Sequence, residues 1–134
     1  MRKFQHVFRV RYGECDPQGI VFNANYLLYC DVAYTELWRA AGVPWTAMTD
    51  MGFDAVLAET TLRFRAPARF DDEIAMSMTI PKLGTSSIVT AFELHRGSEL
   101  LVEGELRHVV VSAETWRPAP MPDAIRAALQ VFSA

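Results

Sequence analysis

Strict alternation opens the chain. In Phe4-Gln5-His6-Val7-Phe8-Arg9-Val10-Arg11-Tyr12, the residues Phe4, His6, Phe8, Val10 and Tyr12 share one face while Gln5, Arg9 and Arg11 fall mainly on the other, as in a half-buried strand. From residue 25 to residue 41 the period lengthens. Tyr26, Cys30, Ala33, Leu37 and Ala41 recur at helical spacing, Gly42 supplies a C′ residue, and Pro44 stops continuation. Leu27, Val32, Tyr34 and Trp38 make this helix apolar on more than one side, which predicts wrapping by sheet and further cover from a partner subunit. Residues 45–51 read as a short helical turn closed by Gly52. Four strands follow. Residues 58–66 contain the β-prone Thr60-Thr61-Leu62-Arg63-Phe64-Arg65 and stop at Pro67; in 73–81, Ile74, Met76, Met78 and Ile80 alternate with Ala75, Ser77 and Thr79. Residues 86–96 place Ile88, Thr90, Phe92 and Leu94 on one face, and in 99–112 Val102, Leu106 and Val110 share a face with His108. Short connections predict an antiparallel meander, then an extended proline segment at 118–122 and a terminal helix at 123–132. Strand, long helix, then four strands describe an α+β fold, one helix against one antiparallel sheet, with no repeat or linker to divide residues 1–134.

Composition narrows the function. A chain of 134 residues with 51% hydrophobic content has room for one domain with a real core. A net charge of -3, with basic residues scattered instead of clustered, gives no footprint for nucleic acid or for an anionic membrane surface. The start, Met1-Arg2-Lys3 followed by Phe4-Gln5-His6, lacks a signal-peptide apolar run, and no stretch is long enough to span a bilayer. Cys15 and Cys30 lie in no metal or redox spacing and build no disulfide framework, so a reducing compartment, the cytoplasm, is expected.

The candidate chemistry sits between the first strand and the helix. Asp16-Pro17-Gln18-Gly19 fits a type I turn, with an acceptor side chain first, proline second and glycine fourth. Ile20-Val21-Phe22 is apolar, and Asn23 or Asn25 can cap the helix, so unpaired helix N–H groups should lie close to the Asp16 carboxylate. A carboxylate beside ready-made anion donors is a hydrolytic pairing. Nothing near Cys15 supplies the base that would activate a thiol. His6, His95 and His108 lack metal-ligand spacing and read as satisfied structural histidines; no metal is expected. Asp31 and Glu36 read as solvated or paired helix carboxylates, Tyr26 as a packed aromatic, and Gly84-Thr85-Ser86-Ser87 lacks the lysine of a phosphate loop.

The run Gly13-Glu14-Cys15-Asp16-Pro17-Gln18-Gly19-Ile20-Val21-Phe22-Asn23-Ala24-Asn25-Tyr26, with Gly42-Val43-Pro44-Trp45, resembles the hotdog-fold acyl-CoA thioesterases of the 4-hydroxybenzoyl-CoA thioesterase and YbgC-like group. Arg63-Phe64-Arg65-Ala66-Pro67-Ala68-Arg69-Phe70-Asp71-Asp72-Glu73-Ile74 looks like that family's later strand entry. The resemblance implies a long helix wrapped by a five- to six-stranded antiparallel sheet, and a homo-oligomer, dimer or tetramer, with sites at the dimer interface. It also implies an acyl-CoA substrate, hydroxybenzoyl or short-chain, and no separate cofactor. It makes Asp16 the catalytic carboxylate, acting as nucleophile or general base, with backbone N–H groups near the helix start polarising the carbonyl. Gly19, Val21, Asn23, Asn25 and Tyr26 are the accompanying turn, wall and positioning residues. Asn23 departs from the pattern, since relatives place histidine or an aromatic residue there. Arg63, Arg65, Arg69 and Lys82 are rim candidates for the phosphates of CoA. Two rivals stand: an acyl-carrier-protein thioesterase, which calls for a basic patch that this acidic chain lacks, and a non-catalytic acyl-CoA-binding module on the same fold.

Overall fold

The computed structural model describes residues 2–133. In β1 (Phe4–Arg9) the alternation is realised, with Phe4, His6 and Phe8 half-buried and Gln5, Val7 and Arg9 exposed. The strand ends three residues before Tyr12. Val10 donates its N–H to the Asp72 carbonyl, and Tyr12–Glu14 closes a 3-10 turn that leaves Tyr12 79% exposed. Tyr12 is therefore not on the core face.

Helix α1 (Asn23–Ala40) buries Tyr26, Tyr29, Cys30, Ala33, Tyr34, Leu37 and Trp38, spaced three and four apart. It begins two residues earlier than the periodicity predicts, and its N-cap is Phe22, an extended residue with no side-chain cap bond. Neither asparagine caps the helix. Asn23 is already helical, and the Asn25 Nδ2 donates backwards to the Glu14 carbonyl at 2.8 Å. Helix α2 (Thr46–Asp50) follows as expected.

Strands β2 (Phe53–Phe64), β3 (Glu73–Leu83), β4 (Ser87–Arg96) and β5 (Glu99–Ser112) complete a five-stranded antiparallel sheet in the order β1-β3-β4-β5-β2. Only β3, β4 and β5 form the predicted meander. β2 pairs with β5 at the far edge, so residues 65–72 carry the chain across the sheet to β3 beside β1. Arg65 and Ala66 begin that departure, both donating their N–H groups to the Leu101 carbonyl before Pro67. β2 also starts five residues earlier than expected. The register shifts between Leu57 and Glu59, and a bulge reverses which residues face inward, so period-two reading from Thr60 does not extend back through it.

The core lies between α1 and the concave face of the sheet. Trp38, Tyr34 and Leu37 of the helix meet Ile74, Met76, Met78 and Ile80 of β3, Ile88 and Leu94 of β4, and Leu101 of β5. Each such side chain contributes about 1.5–3 kcal/mol on burial, so packing fixes the helix more firmly than its own propensity does. Helix α3 (Asp123–Leu129) and the 3-10 turn Gln130–Phe132 close one end, with Leu129 and Phe132 buried. Among the described residues no helix is long and apolar enough to cross a membrane.

Candidate active site

Asp16 stands at the tip of a small hairpin. Cys15 bridges Val21, the Phe22 N–H donates to the Glu14 carbonyl at 3.0 Å, and the Asp16 N–H donates to the Ile20 carbonyl at 2.9 Å. Gly19 N–H to the Asp16 carbonyl, 2.9 Å, closes the predicted turn, and Gly19 then takes φ +80°, which glycine adopts without strain. One carboxylate oxygen, Oδ1, accepts the Gln18 N–H at 2.8 Å, as turn aspartates do. Oδ2 has no hydrogen-bond partner among the described residues, so the half-buried carboxylate is oriented by its turn and retains a free oxygen.

The crossing segment 65–72 presses this hairpin onto the helix start. Val21 N–H donates to the Ala68 carbonyl at 2.9 Å, Ile20 bridges Arg69, and the Tyr26 Oη accepts the Ala68 N–H at 3.1 Å. A cavity of about 270 Å³ opens at this junction, lined in part by Val21, Asn23, Tyr26, Phe64 and Arg65. Of the predicted site residues, Val21, Asn23 and Tyr26 line it, while Asp16 and Gly19 occupy the turn adjoining Ile20 on its wall. Asn25 is not brought in; its side chain serves Glu14. The N–H groups of Gly19 and Val21 are already committed within the fold, whereas those of Asn23 and Ala24, at the uncapped first turn of α1, have no intrahelical acceptor. Burial raises the Tyr26 pKa, so its phenol is a neutral wall, not a base.

Two features escaped sequence reading. Phe64, 52% exposed, meets Tyr26 edge to face at 5.5 Å, and it reaches the helix start only because of the β2–β5 pairing. Arg65, one of the rim candidates, also lines the cavity and pairs with Glu103 at 3.2 Å. Glu14 is the second omission, since nothing in an Arg-x-x-Glu spacing announces a buried acid. Its carboxylate accepts the Arg11 backbone N–H at 2.8 Å, Arg11 Nε at 2.9 Å, Arg11 Nη2 at 2.7 Å and the Tyr29 hydroxyl at 2.9 Å. Burial alone would raise its pKa, but the Arg11 and Tyr29 hydrogen bonds and the Arg11 charge together outweigh it and hold the group below its ordinary value.

Because the folded pKa is depressed, Glu14 stabilises the fold above the unfolded carboxylate range and loses that contribution as pH falls through the folded value. Glu14→Gln should therefore melt below wild type at pH 7 and show a smaller fall in melting temperature between pH 7 and pH 3. Parallel melting curves across that range would exclude this role.

Other candidate nucleophiles and acids recede. Burial pushes the Cys30 thiol up to about 12, and Glu36 is paired with Arg39. His108 corrects the sequence reading: it is 5% exposed, yet its Nδ1 has no partner, and burial lowers its pKa to about 4, so it is a neutral, unsatisfied core histidine.

Comparison with known proteins gives the geometry a context. A family model described as the thioesterase-like superfamily matches residues 10–129. The chain is 30% identical over 123 residues, 91% of its length and 92% of the relative's, to the acyl-CoA thioester hydrolase YbgC of Escherichia coli. Among solved structures it resembles a hypothetical protein of Aquifex aeolicus, with a TM-score of 0.89 at 25% identity over 94% of this chain and 98% of that one. A gentisyl-coenzyme A thioesterase gives a TM-score of 0.85 at 25% identity over 94% and 99%. The sheet wrapped on a single long helix is the hotdog fold.

Proposed function

The chain belongs to the thioesterase-like superfamily, and on that footing we propose that Asp16 is its catalytic carboxylate and the first N–H groups of α1 its carbonyl-polarising donors. It is a thioester hydrolase that acts on acyl-CoA. What carries the assignment of roles is the oriented carboxylate with one uncommitted oxygen, set in a hairpin that runs straight into an uncapped helix N-terminus.

A thioester carbonyl is already activated, so one carboxylate and one set of donors suffice. Asp16 Oδ2 either attacks the carbonyl carbon, giving a mixed anhydride and CoA thiolate, or removes a proton from water that attacks instead. In both routes negative charge grows on the carbonyl oxygen. The N–H groups of Asn23 and Ala24, aligned with the helix dipole, are placed to stabilise it. Asn23, exposed and bordering the cavity, positions water or the acyl carbonyl.

The site is completed by a second copy of the chain. β2 is an edge strand, paired with β5 on one side only, and Leu57 and Phe64 on it, with Phe22, Leu28 and Val32 at α1, are all more than 40% exposed. Such a surface on a protein of this charge favours self-association over a basic-groove interaction with a carrier protein.

Purified protein should release free thiol from a panel of short, long and aromatic acyl-CoAs, and should run in light scattering at twice or four times its 15.1 kDa mass. Calorimetric binding of these acyl-CoAs without thiol release would replace catalysis by a binding role, and a monomer would refute the shared site.

A further inference from the structure

We propose that His108 selects the acyl group, as the buried hydrogen-bonding partner on the wall of a mainly apolar acyl chamber; this rests on the acyl-CoA reading above. The preferred acyl group then has an apolar body and an oxygen able to hydrogen-bond at its far end.

The chamber is a second cavity of about 250 Å³, on the other side of the helix start from the first. Asn23 lines the first cavity and Ala24 lines this one, so a thioester held at those two N–H groups can send its acyl group along α1. Leu27 and Leu28 of the helix, Leu57 of β2 and Leu106 of β5 supply apolar walls, and Asp31, exposed to solvent, also borders it. An apolar space of 150 Å³ can hold benzene, so a ring or a short chain fits here.

His108 is the buried polar residue on this lining. Its ring stacks flat on Tyr34, with centroids 4.2 Å apart and planes at 5°, which directs both nitrogens sideways, away from Tyr34. Nδ1 is sealed in the core without a partner, whereas Nε2, which no hydrogen bond from a described residue engages, is not sealed off and is the nitrogen that can meet a guest in the cavity. Three other buried atoms lack partners, Tyr34 Oη, Trp38 Nε1 and Thr90 Oγ1, but the Tyr34 hydroxyl lies within hydrogen-bonding influence of both Trp38 and Thr90, so that trio can satisfy itself. His108 has no such neighbour. A neutral imidazole offers one donor and one acceptor, and an unpaired buried polar group is retained at a cost that packing alone does not explain.

Calorimetry with non-hydrolysable ketone analogues tests this: phenacyl-CoA against 4-hydroxyphenacyl-CoA, and 2-oxohexyl-CoA against 6-hydroxy-2-oxohexyl-CoA. In wild type the hydroxylated member of at least one pair should bind on the order of 10-fold more tightly or better. His108→Phe, which keeps a flat ring on Tyr34, should bring that ratio to about one, with His108→Leu giving the same reading if the phenylalanine variant does not fold. His108→Gln should recover part of the preference. His108→Phe should also melt no lower than wild type, whereas a histidine kept for structure would lose stability. Equal binding within both pairs, no binding of any analogue, or a preference that survives His108→Phe overturns the assignment. Since binding is read without turnover, discrimination in a protein that never hydrolyses acyl-CoA would sink the role of Asp16 and leave this one standing.

Discussion

Asp16→Asn is expected to lower kcat for acyl-CoA hydrolysis by roughly 100- to 10,000-fold, the range typical of a lost acid, base or nucleophile. The substitution is chosen because the turn survives it. An asparagine Oδ1 still accepts the Gln18 N–H, the Gly19 N–H still reaches the carbonyl of residue 16, and the pairing with Ile20 is unchanged. KM and the melting temperature should therefore stay close to wild type while kcat collapses. The amide cannot attack the thioester or take a proton from water, whichever route the carboxylate uses. Turnover near wild type would show that Asp16 is only a turn residue, and a matching loss of stability would show that the hairpin, not the chemistry, had been damaged.

The largest expected effect on stability lies elsewhere. Gly104 sits in the middle of β5, opposite Leu62 of β2 on one side and Phe92 of β4 on the other. A Cβ added there would lie 1.8 Å from the Thr61 carbonyl oxygen and 3.2 Å from Phe92 Cε1. The first contact is with backbone in the ladder itself, so β2 must move away from β5. Gly104→Ala should cost about 3 kcal/mol or more and lower the melting temperature by on the order of 10 °C. Because β2 carries Phe64 to the cavity, kcat/KM should fall too. Gly13→Ala, where nothing lies within 4 Å, is the control and should shift stability by less than about 0.5 kcal/mol. If both variants melted with wild type, the close strand approach would be wrong.

Some of this was legible in residues alone, and the reasons differ by element. The turn at Asp16 was read position by position, because proline at 17 and glycine at 19 constrain the backbone locally. The inward positions Phe4, His6 and Phe8 of β1 and Ile74, Met76, Met78 and Ile80 of β3 were read because they recur at every second residue. The start of β2 was not, since the bulge after Leu57 breaks the period. Capping by Asn23 or Asn25 failed for a related reason: residue type suggested a cap, but Asn25 was taken by the Glu14 carbonyl eleven residues earlier, a contact no local pattern specifies. His108 shared a predicted face with Val110 and Leu106 and is indeed buried. That it would be left without a partner depends on which helix residue lies above it, and Tyr34 offers only its ring face.

What the sequence determined by itself was local: one long amphipathic helix, strands with defined faces, and a carboxylate held in a tight turn just before the helix. These follow from φ/ψ preferences and periodicity, which act over a few residues. Only the tertiary structure decided that β2 lies at the far edge and that residues 65–72 cross the sheet to clamp the turn. The same arrangement sets Glu14 with Tyr29 behind the hairpin and opens separate cavities on either side of the helix start. Those outcomes depend on how strands far apart in sequence pair and how the helix seats on them, and burial of the whole core, not any neighbouring residue, selects that pairing.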